Sequence, residues 1–472
     1  MPDINIPLAA TLESRDGDLV KGALLTNCYP EARSDGVYVK RRPGSFAVKI
    51  GIGGLNTGMA SFVVTNGIFN GRFYWISNNV IYDLNGGTWP LTGDFGNSLD
   101  NTYSITNGIP AIPITIKGQF LWTFTGATLT KVTDPDFPAQ TTSGVVSLDS
   151  TTYVLTTDGF IRGSAINNAA SWSALNSIQV DLGIGTPAVI FRHLNYIYAL
   201  GSTGLQAFYD AANPAPGSPL SPVTTEVSPY GATRSTPPAI YKDTVVWLSP
   251  GVRGNAVVVM MEQGKLSVIS TPDVERVLFR NAQAADWSSS FSYHLDGATF
   301  YGFNHTANGV SLVYHRESGM WMSWNSRAAG VPGPKIAYPF IHVSGEPPLA
   351  VSRETGHIVQ LSSTTIQDDS IIFPECLIRT APLDGGTGKR KFLSRLVVAA
   401  DTSQPNAPIV CRYTDDDYQT WGASRNIPAY TPWKQLTRLG SFRSRAFELD
   451  IANLDVGVGV ATIELDVEKG SR

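Results

Sequence analysis

From Ile190 to Ile269 the sequence states one structural unit twice. The first copy is Ile190-Phe191-Arg192-His193-Leu194-Asn195-Tyr196-Ile197-Tyr198-Ala199-Leu200, a Gly201-Ser202-Thr203-Gly204 turn, then Leu205-Gln206-Ala207-Phe208-Tyr209. The second runs from Ala239 to Leu248, through a Pro/Gly turn to Ala256 and Met261, then past Glu262-Gln263-Gly264-Lys265 to Leu266 and Ile269. Each is a β-branched and aromatic strand, a Gly turn and a second strand, which is hairpin grammar. A lone hairpin cannot bury its face, so a chain made of such units must stack or close them.

The unit recurs. Candidate hairpins are Phe69 to Leu84, Ile114 to Val132, Val145 to Ile161, Ile190 to Tyr209, Ile240 to Ile269, Phe291 to Trp324 and Phe340 to Leu361. Their spacing of roughly 30 to 55 residues is that of a four-stranded propeller blade. Asn70-Gly71-Arg72-Phe73-Tyr74-Trp75 and Lys117-Gly118-Gln119-Phe120-Leu121-Trp122 place aromatics at the same two offsets after the turn glycine. Helical periodicity is hard to find. The expected fold is all-β: a β-propeller of roughly six or seven irregular blades followed by a C-terminal β-sandwich. One or two large sandwiches are the alternative.

A boundary is expected between Ser363 and Ser370. The division is an N-terminal leader and first strand over 1–50, the propeller over 51–365, and a terminal β domain over 366–472 of about 100 residues. Between the two opening hairpins, Ala211 to Pro238 is a Pro/Gly/Ser/Thr loop. Its length predicts a functional projection towards a neighbour or a channel.

Of 472 residues, 42% are hydrophobic and only 16% charged, and the net charge is −4. That balance gives no overall attraction to DNA or to an anionic membrane, yet is compatible with a channel that DNA passes through. Cys28, Cys376 and Cys411 form no disulfide framework, which points to a reducing compartment. No signal peptide and no membrane span is expected.

Catalytic constellations are missing. No nucleophile elbow, zinc helix or dinucleotide fingerprint occurs. Gly385-Gly386-Thr387-Gly388-Lys389 suggests a phosphate loop, but Arg390 stands where a hydroxyl should hold magnesium. The histidines (His193, His294, His305, His315, His342 and His357) lack paired metal-ligand spacing. No cofactor and no metal is expected, and the chain reads as non-enzymatic. Thr414 to Trp421, with Asp415, Asp416 and Asp417, resembles the Asp-box turn of sialidase-type propellers, with Tyr418 in place of its glycine. It motivates the rival reading, a carbohydrate-binding or glycoside-hydrolysing propeller. Against it, only Arg162, Arg192 and Arg234 lie between Val80 and Arg253, too thin a supply for a sialidase-like site. A nuclease is disfavoured by the charge and by the lack of a carboxylate motif.

One surface is singled out. Lys389, Arg390, Lys391, Arg395, Arg438, Arg443 and Arg445 cluster in the last domain, a candidate channel or interface strip. Arg443 and Arg445 would share one face of a strand. Ordinary edge protection explains the cluster equally well.

Four places resemble one family. They are Asn27-Cys28-Tyr29-Pro30-Glu31 with Arg42-Pro43-Gly44; Asn195 to Tyr209; Gly231-Ala232 with Thr236, Val246-Trp247-Leu248-Ser249 and Val257 to Ile269; and Trp421, Trp433 and Arg438-Leu439-Gly440 leading to Phe447-Glu448-Leu449. Together they are similar to the tail hub, or nozzle, of short-tailed bacteriophages, also called packaged-DNA stabilisation proteins. Gln206 departs from the acidic residue that this family tends to carry. The resemblance implies a virion tail protein, assembled in the bacterial cytoplasm into a ring expected to be a homohexamer. Its implied partners are the portal and adaptor assembly, a tailspike, fibre or needle, and double-stranded DNA that passes through without sequence-specific contact.

Overall fold

The computed structural model describes residues 3–8, 11–14, 19, 22–34, 36–49, 60–63, 73–77, 80–83, 88–90, 103–105, 112–116, 120–223, 227–232, 238–250, 256–280, 287–305, 310–325, 348–351, 358–368, 374–400, 408–429, 434–452 and 458–467. The turns at 70–72 and 117–119, with Thr236, Pro237, His342, His357 and Trp433, lie outside them.

The regular secondary structure of the described residues is almost entirely β-strand. From Ala60 the chain lays down one antiparallel meander after another. The first four-stranded sheet is Ala60–Val63, Phe73–Ser77, Val80–Asp83 and Thr88–Pro90. The second runs from Tyr103–Ile105 to Leu129–Lys131, and the third from Val146–Leu148 to Asn168–Gln179. The fourth is Pro187–His193, Tyr196–Gly201, Leu205–Asp210 and Leu220–Pro222. The fifth is Ala239–Tyr241, Thr244–Ser249, Val257–Glu262 and Lys265–Val268. The sixth runs from Trp287–Leu295 to Met320–Trp324. First strands of neighbouring sheets touch, between the first and second, third and fourth, and fifth and sixth sheets.

These sheets stack face to face, which explains their apolar central strands. Alternate side chains of a strand point to opposite faces. Ile197 and Ala199 pack on the third sheet while Tyr198 and Leu200 pack on the fifth. Val245 and Trp247 face the fourth sheet, whereas Val246 and Leu248 face the sixth. A strand buried on both faces must be apolar along its centre, as Thr244–Ser249 is from Val245 to Leu248, with all six residues buried. Burying Trp247 whole contributes on the order of 3 kcal/mol. The α-helix Pro272–Arg280 plugs Val274, Val277 and Leu278 into the core between the fifth and sixth sheets.

The N-terminal stretch differs from the irregular leader expected for 1–50. Gly44–Lys49 pairs antiparallel with Ile358–Ser362, which pairs with Leu349–Val351. The seventh sheet is therefore built from both ends of the repeat array. Gly22–Thr26 lies between Met320–Trp324 and Leu377–Arg379, so it continues the sixth sheet into the terminal domain. There the order goes on through Ala446–Asp450, Pro408–Thr414 and Arg425–Pro428. Facing it, Lys391–Ala400 pairs with Gln435–Thr437 and Val458–Val467, and the Cys28–Arg33 and Gly36–Arg41 hairpin joins beyond. The two sheets share one core, which contains Leu25, Val39, Ile378, Leu393, Leu396, Ile409, Phe447 and Leu449.

The seam between these parts is a buried polar junction. Asn27, at φ 55°, accepts from Arg42 Nε at 2.9 Å and from the Asn325 amide at 2.8 Å through one oxygen. Its amide group donates to Asn325 Oδ1 and to the Glu375 carbonyl. The Arg42 guanidinium meets Asp368 with bonds of 2.9 and 2.5 Å, and the two side chains are 1% and 5% exposed. Burial works against the charge on Arg42, and Asp368 more than restores it, so its pKa is raised. A Cβ on Gly44 would sit 2.3 Å from the Thr365 carbonyl oxygen, so the seam accepts only glycine there.

The described residues of the 211–238 segment are tied to the fourth sheet. Leu220–Pro222 is the outer strand of the fourth sheet, and Ser228 bridges back to Leu205. Residues 227–232 then cross the end of that sheet. Ala232 N donates to Gly201 O at 2.8 Å, and Trp247 Nε1 donates to Gly231 O at 3.0 Å. A Cβ on Gly231 would meet Gly201 O at 2.4 Å. Within what read as a loop, Leu220–Pro222 is an edge strand too short to show period-two patterning.

Candidate functional site

The seven basic residues predicted as a strip separate into two sets. Lys389, Arg390, Arg395, Arg438 and Arg443 are solvent-exposed. They lie on or next to Lys391–Ala400 and the two short strands that pair with its one side. Arg395 is opposite Thr437 in register, next to Arg438, and Phe392 is opposite Ser441, to whose hydroxyl Arg390 Nε donates at 3.0 Å. On the other side of Arg395, Glu464 is its register partner. Exposed Phe392 adds an apolar point to this face.

Lys391 and Arg445 are inside. Lys391 Nζ donates to the carbonyls of Thr387 and Lys389 at 2.6 and 2.7 Å, and burial lowers its pKa. Arg445 is 2% exposed and grips Asp415 with two bonds of 2.6 Å while donating to Leu439 O. Its guanidinium lies 3.9 Å from the Tyr413 ring centre and 4.6 Å from that of Phe442. The expected shared strand face for Arg443 and Arg445 does not form. Residues 443–444 make a bend, which turns Arg443 out and Arg445 in.

The Asp-box-like turn lies in the terminal domain, away from the repeated sheets, and its residues are used internally. Asp416 accepts from Thr414 Oγ1, from Thr420 Oγ1 and from the amides of Gln419 and Thr420, which lowers its pKa to about 2. Tyr418 adopts φ 64° and sends its hydroxyl to Thr380 O at 2.7 Å. Trp421 stacks under Arg379 and Arg412, which both bind buried Glu448. These carboxylates are structural anchors. Among the described residues no cluster of His, Cys, Asp and Glu is arranged for a metal. No helix is long and apolar enough to cross a membrane. Gln206, the departure noted above, accepts from the Asp181 amide at 2.8 Å. A carboxylate oxygen would do the same, so the exchange keeps the acceptor.

Sequence reasoning missed His193, which is 3% exposed and lines a cleft of about 510 Å³ between the fourth and fifth sheets.

Successive antiparallel meanders stacked face to face define a fold of β-propeller type. The chain belongs to the family described as Bacteriophage P22 Gp10, beta-propeller, whose model matches residues 4–297. It is thus a phage structural protein of the packaged-DNA stabilisation type. No curated protein matches it. Among solved structures, it is similar to YCF48 bound to D1 peptide at 13% identity, covering 67% of this chain and 96% of that one with a TM-score of 0.39. BamB from Moraxella catarrhalis matches at 12% identity over 76% and 96%, with a TM-score of 0.37. The computationally designed Ika8 protein matches at 10% over 75% and 99%, with a TM-score of 0.40. At these scores they are general likenesses only.

Proposed function

We propose that the chain is the ring-forming tail hub, or nozzle, of a short-tailed phage. In this reading it is a seven-bladed propeller whose last blade is closed by Gly44–Lys49, beside a terminal β-sandwich. Copies assemble in the host cytoplasm into a homohexameric ring below the portal and adaptor. The ring extends the DNA channel, retains the packaged genome until DNA ejection, and docks fibres, spikes or a needle.

The observation that carries this reading is the family match over 4–297, which takes in the N-terminal seam and the first five stacked sheets. The exposed face of Lys389, Arg390, Arg395, Arg438 and Arg443 supplies a surface for an acidic neighbour or for the channel. Glu448 pairs with Arg379 and Arg412, and Asp415 with Arg445, which suits a scaffold better than a catalyst.

The test is antibody labelling of intact particles under negative stain, and label at the tail is expected. Label on the capsid or only on unassembled protein overturns the proposal. For the surface, Arg390, Arg395, Arg438 and Arg443 are changed together to Glu. The expected result is a folded chain that no longer assembles or retains genome. Normal assembly with normal retention removes the strip from the interface.

A further inference from the structure

The three most exposed large apolar side chains among the described residues all belong to one stretch of the third sheet. Leu182, Ile166 and Leu175 are 83%, 71% and 64% exposed. The backbone puts each of them there. Ile166 tops the turn between Phe160–Ala165 and Asn168–Gln179. Arg162 and Ser164 are two apart, yet their partners Ser177 and Trp172 are five apart, so the outer strand bulges and carries Leu175 outward. Leu182 opens a short 3-10 turn, which Asp181 caps by accepting from the Gly183 amide at 2.7 Å. Exposed aliphatics gathered on one element mark an interaction surface.

The same stretch is acidic. Residues 132–182 hold five aspartates (Asp134, Asp136, Asp149, Asp158 and Asp181) and a single basic residue, Arg162. Of the five, all but Asp134 are exposed. Asp134 and Asp136 accept from the Trp172 and Ala174 amides of the outer strand at 2.9 and 3.4 Å. Those bonds and the bulge blunt the edge against an added strand, so a partner has to meet side chains.

A surface of the opposite make-up lies on the same chain. Arg390, Arg395, Arg438 and Arg443 stand exposed in the terminal domain around Phe392, which is itself 43% exposed. The third sheet and that domain have separate cores.

We infer that the third sheet of one copy receives the basic surface of the next, with Phe392 against Leu175 and Leu182 and the arginines facing the aspartates. The inference rests on the tail-hub reading and assigns the subunit interface of its ring. Complementary potentials orient such a contact and select against wrong pairings. Each copy offers both surfaces, and unlike surfaces meeting between successive copies give a head-to-tail contact, the kind that closes rings.

Thiol cross-linking in intact particles tests it. Cys28, Cys376 and Cys411 are buried, so introduced cysteines are the ones a reagent reaches. Two chains are made, Leu182→Cys with Phe392→Cys and Leu175→Cys with Phe392→Cys, and particles carrying them are treated with a short bismaleimide. The expected result is a covalent ladder of dimer, trimer and higher forms that needs both cysteines. Monomer alone from both chains, a ladder that stops at dimer, or cross-links from a single cysteine overturns the inference, while the tail-hub reading survives wherever the chain is still found at the tail. If the chain is absent from particles, the tail-hub reading fails by itself, and the same cross-linking of the purified full chain decides the contact. Should the cysteine chains not assemble, charge exchange decides. Asp136→Lys with Asp158→Lys should cut the yield of filled particles about tenfold or more, and adding Arg390→Glu with Arg395→Glu should restore it. An unchanged yield with the lysines, or no recovery with the glutamates, overturns the inference.

Discussion

Replacing Asp368 by Ala removes the carboxylate that meets the Arg42 guanidinium in the seam, where that cation is buried. Arg42 would keep Asn27 Oδ1 and the carbonyls of Pro43 and Asn325, which are neutral acceptors. Breaking a buried pair from one side costs about 3–5 kcal/mol, because the remaining charge is uncompensated. With roughly 2.1 cal/mol/K of unfolding entropy per residue and a cooperative unit of about 300 residues, this is a Tm loss of about 5–8 °C. Trp324 is 5.8 Å from the guanidinium, so tryptophan fluorescence during thermal unfolding reads the right region. The pair Arg42→Met with Asp368→Leu should cost less than Asp368→Ala alone, since neither charge is then left buried. A Tm change of under about 2 °C for Asp368→Ala, or a double variant at the sum of the singles, refutes the reasoning.

Other outcomes follow from the same contacts. Trp247→Ala should cost about 3–5 kcal/mol in urea unfolding, through the cavity and the lost bond to Gly231. Asp415→Asn should destabilise the terminal domain, measured as an earlier loss of amide-exchange protection around Tyr413 and Phe442, while Arg443→Asn should leave protection unchanged. In acid, burial pushes the Glu317 carboxyl up, but its bonds from His315 and Thr299 win and hold it at about 2 against an ordinary 4.5. A depressed carboxylate stabilises the fold above its ordinary value and loses that contribution as pH falls towards 2. Glu317→Gln should therefore flatten the stability curve between about pH 4.5 and 2, and an unchanged slope counts against the assignment.

Much of the repeat array was legible in the sequence because its strands are local. Glycine turns and doubly buried runs such as Thr244–Ser249 announce themselves within a few residues. The N-terminal stretch was not legible, because its partners lie hundreds of residues away. Asp3 pairs with Glu464, Gly44 with Ser362, and Asn27 bonds Glu375. No local pattern encodes such pairings. The Asn27-to-Glu31 and Arg42-Pro43-Gly44 motifs were visible as a family resemblance, and the structure supplies their physics: a polar hub at positive φ and a glycine pressed against a carbonyl. Strand alternation also misled at Arg445, since the bend at 443–444 resets the facing. Alternation from buried Leu393 accounts for Lys391, which turns inward with it, but would also put Arg395 inside; the register shift between Leu393 and Arg395 resets the phase, so that Leu396 and Val398 face the core and Arg395 faces solvent.

The central claim is that this chain forms the tail ring through which DNA leaves the particle. Cryo-electron microscopy of intact virions measures it directly. The account predicts copies of the stacked-sheet array arranged as a closed ring on the tail axis below the portal, with the surface bearing Arg395 and Arg438 against a neighbour or the channel. Density for the chain off the tail axis, or in an open arrangement that encloses no channel, contradicts it.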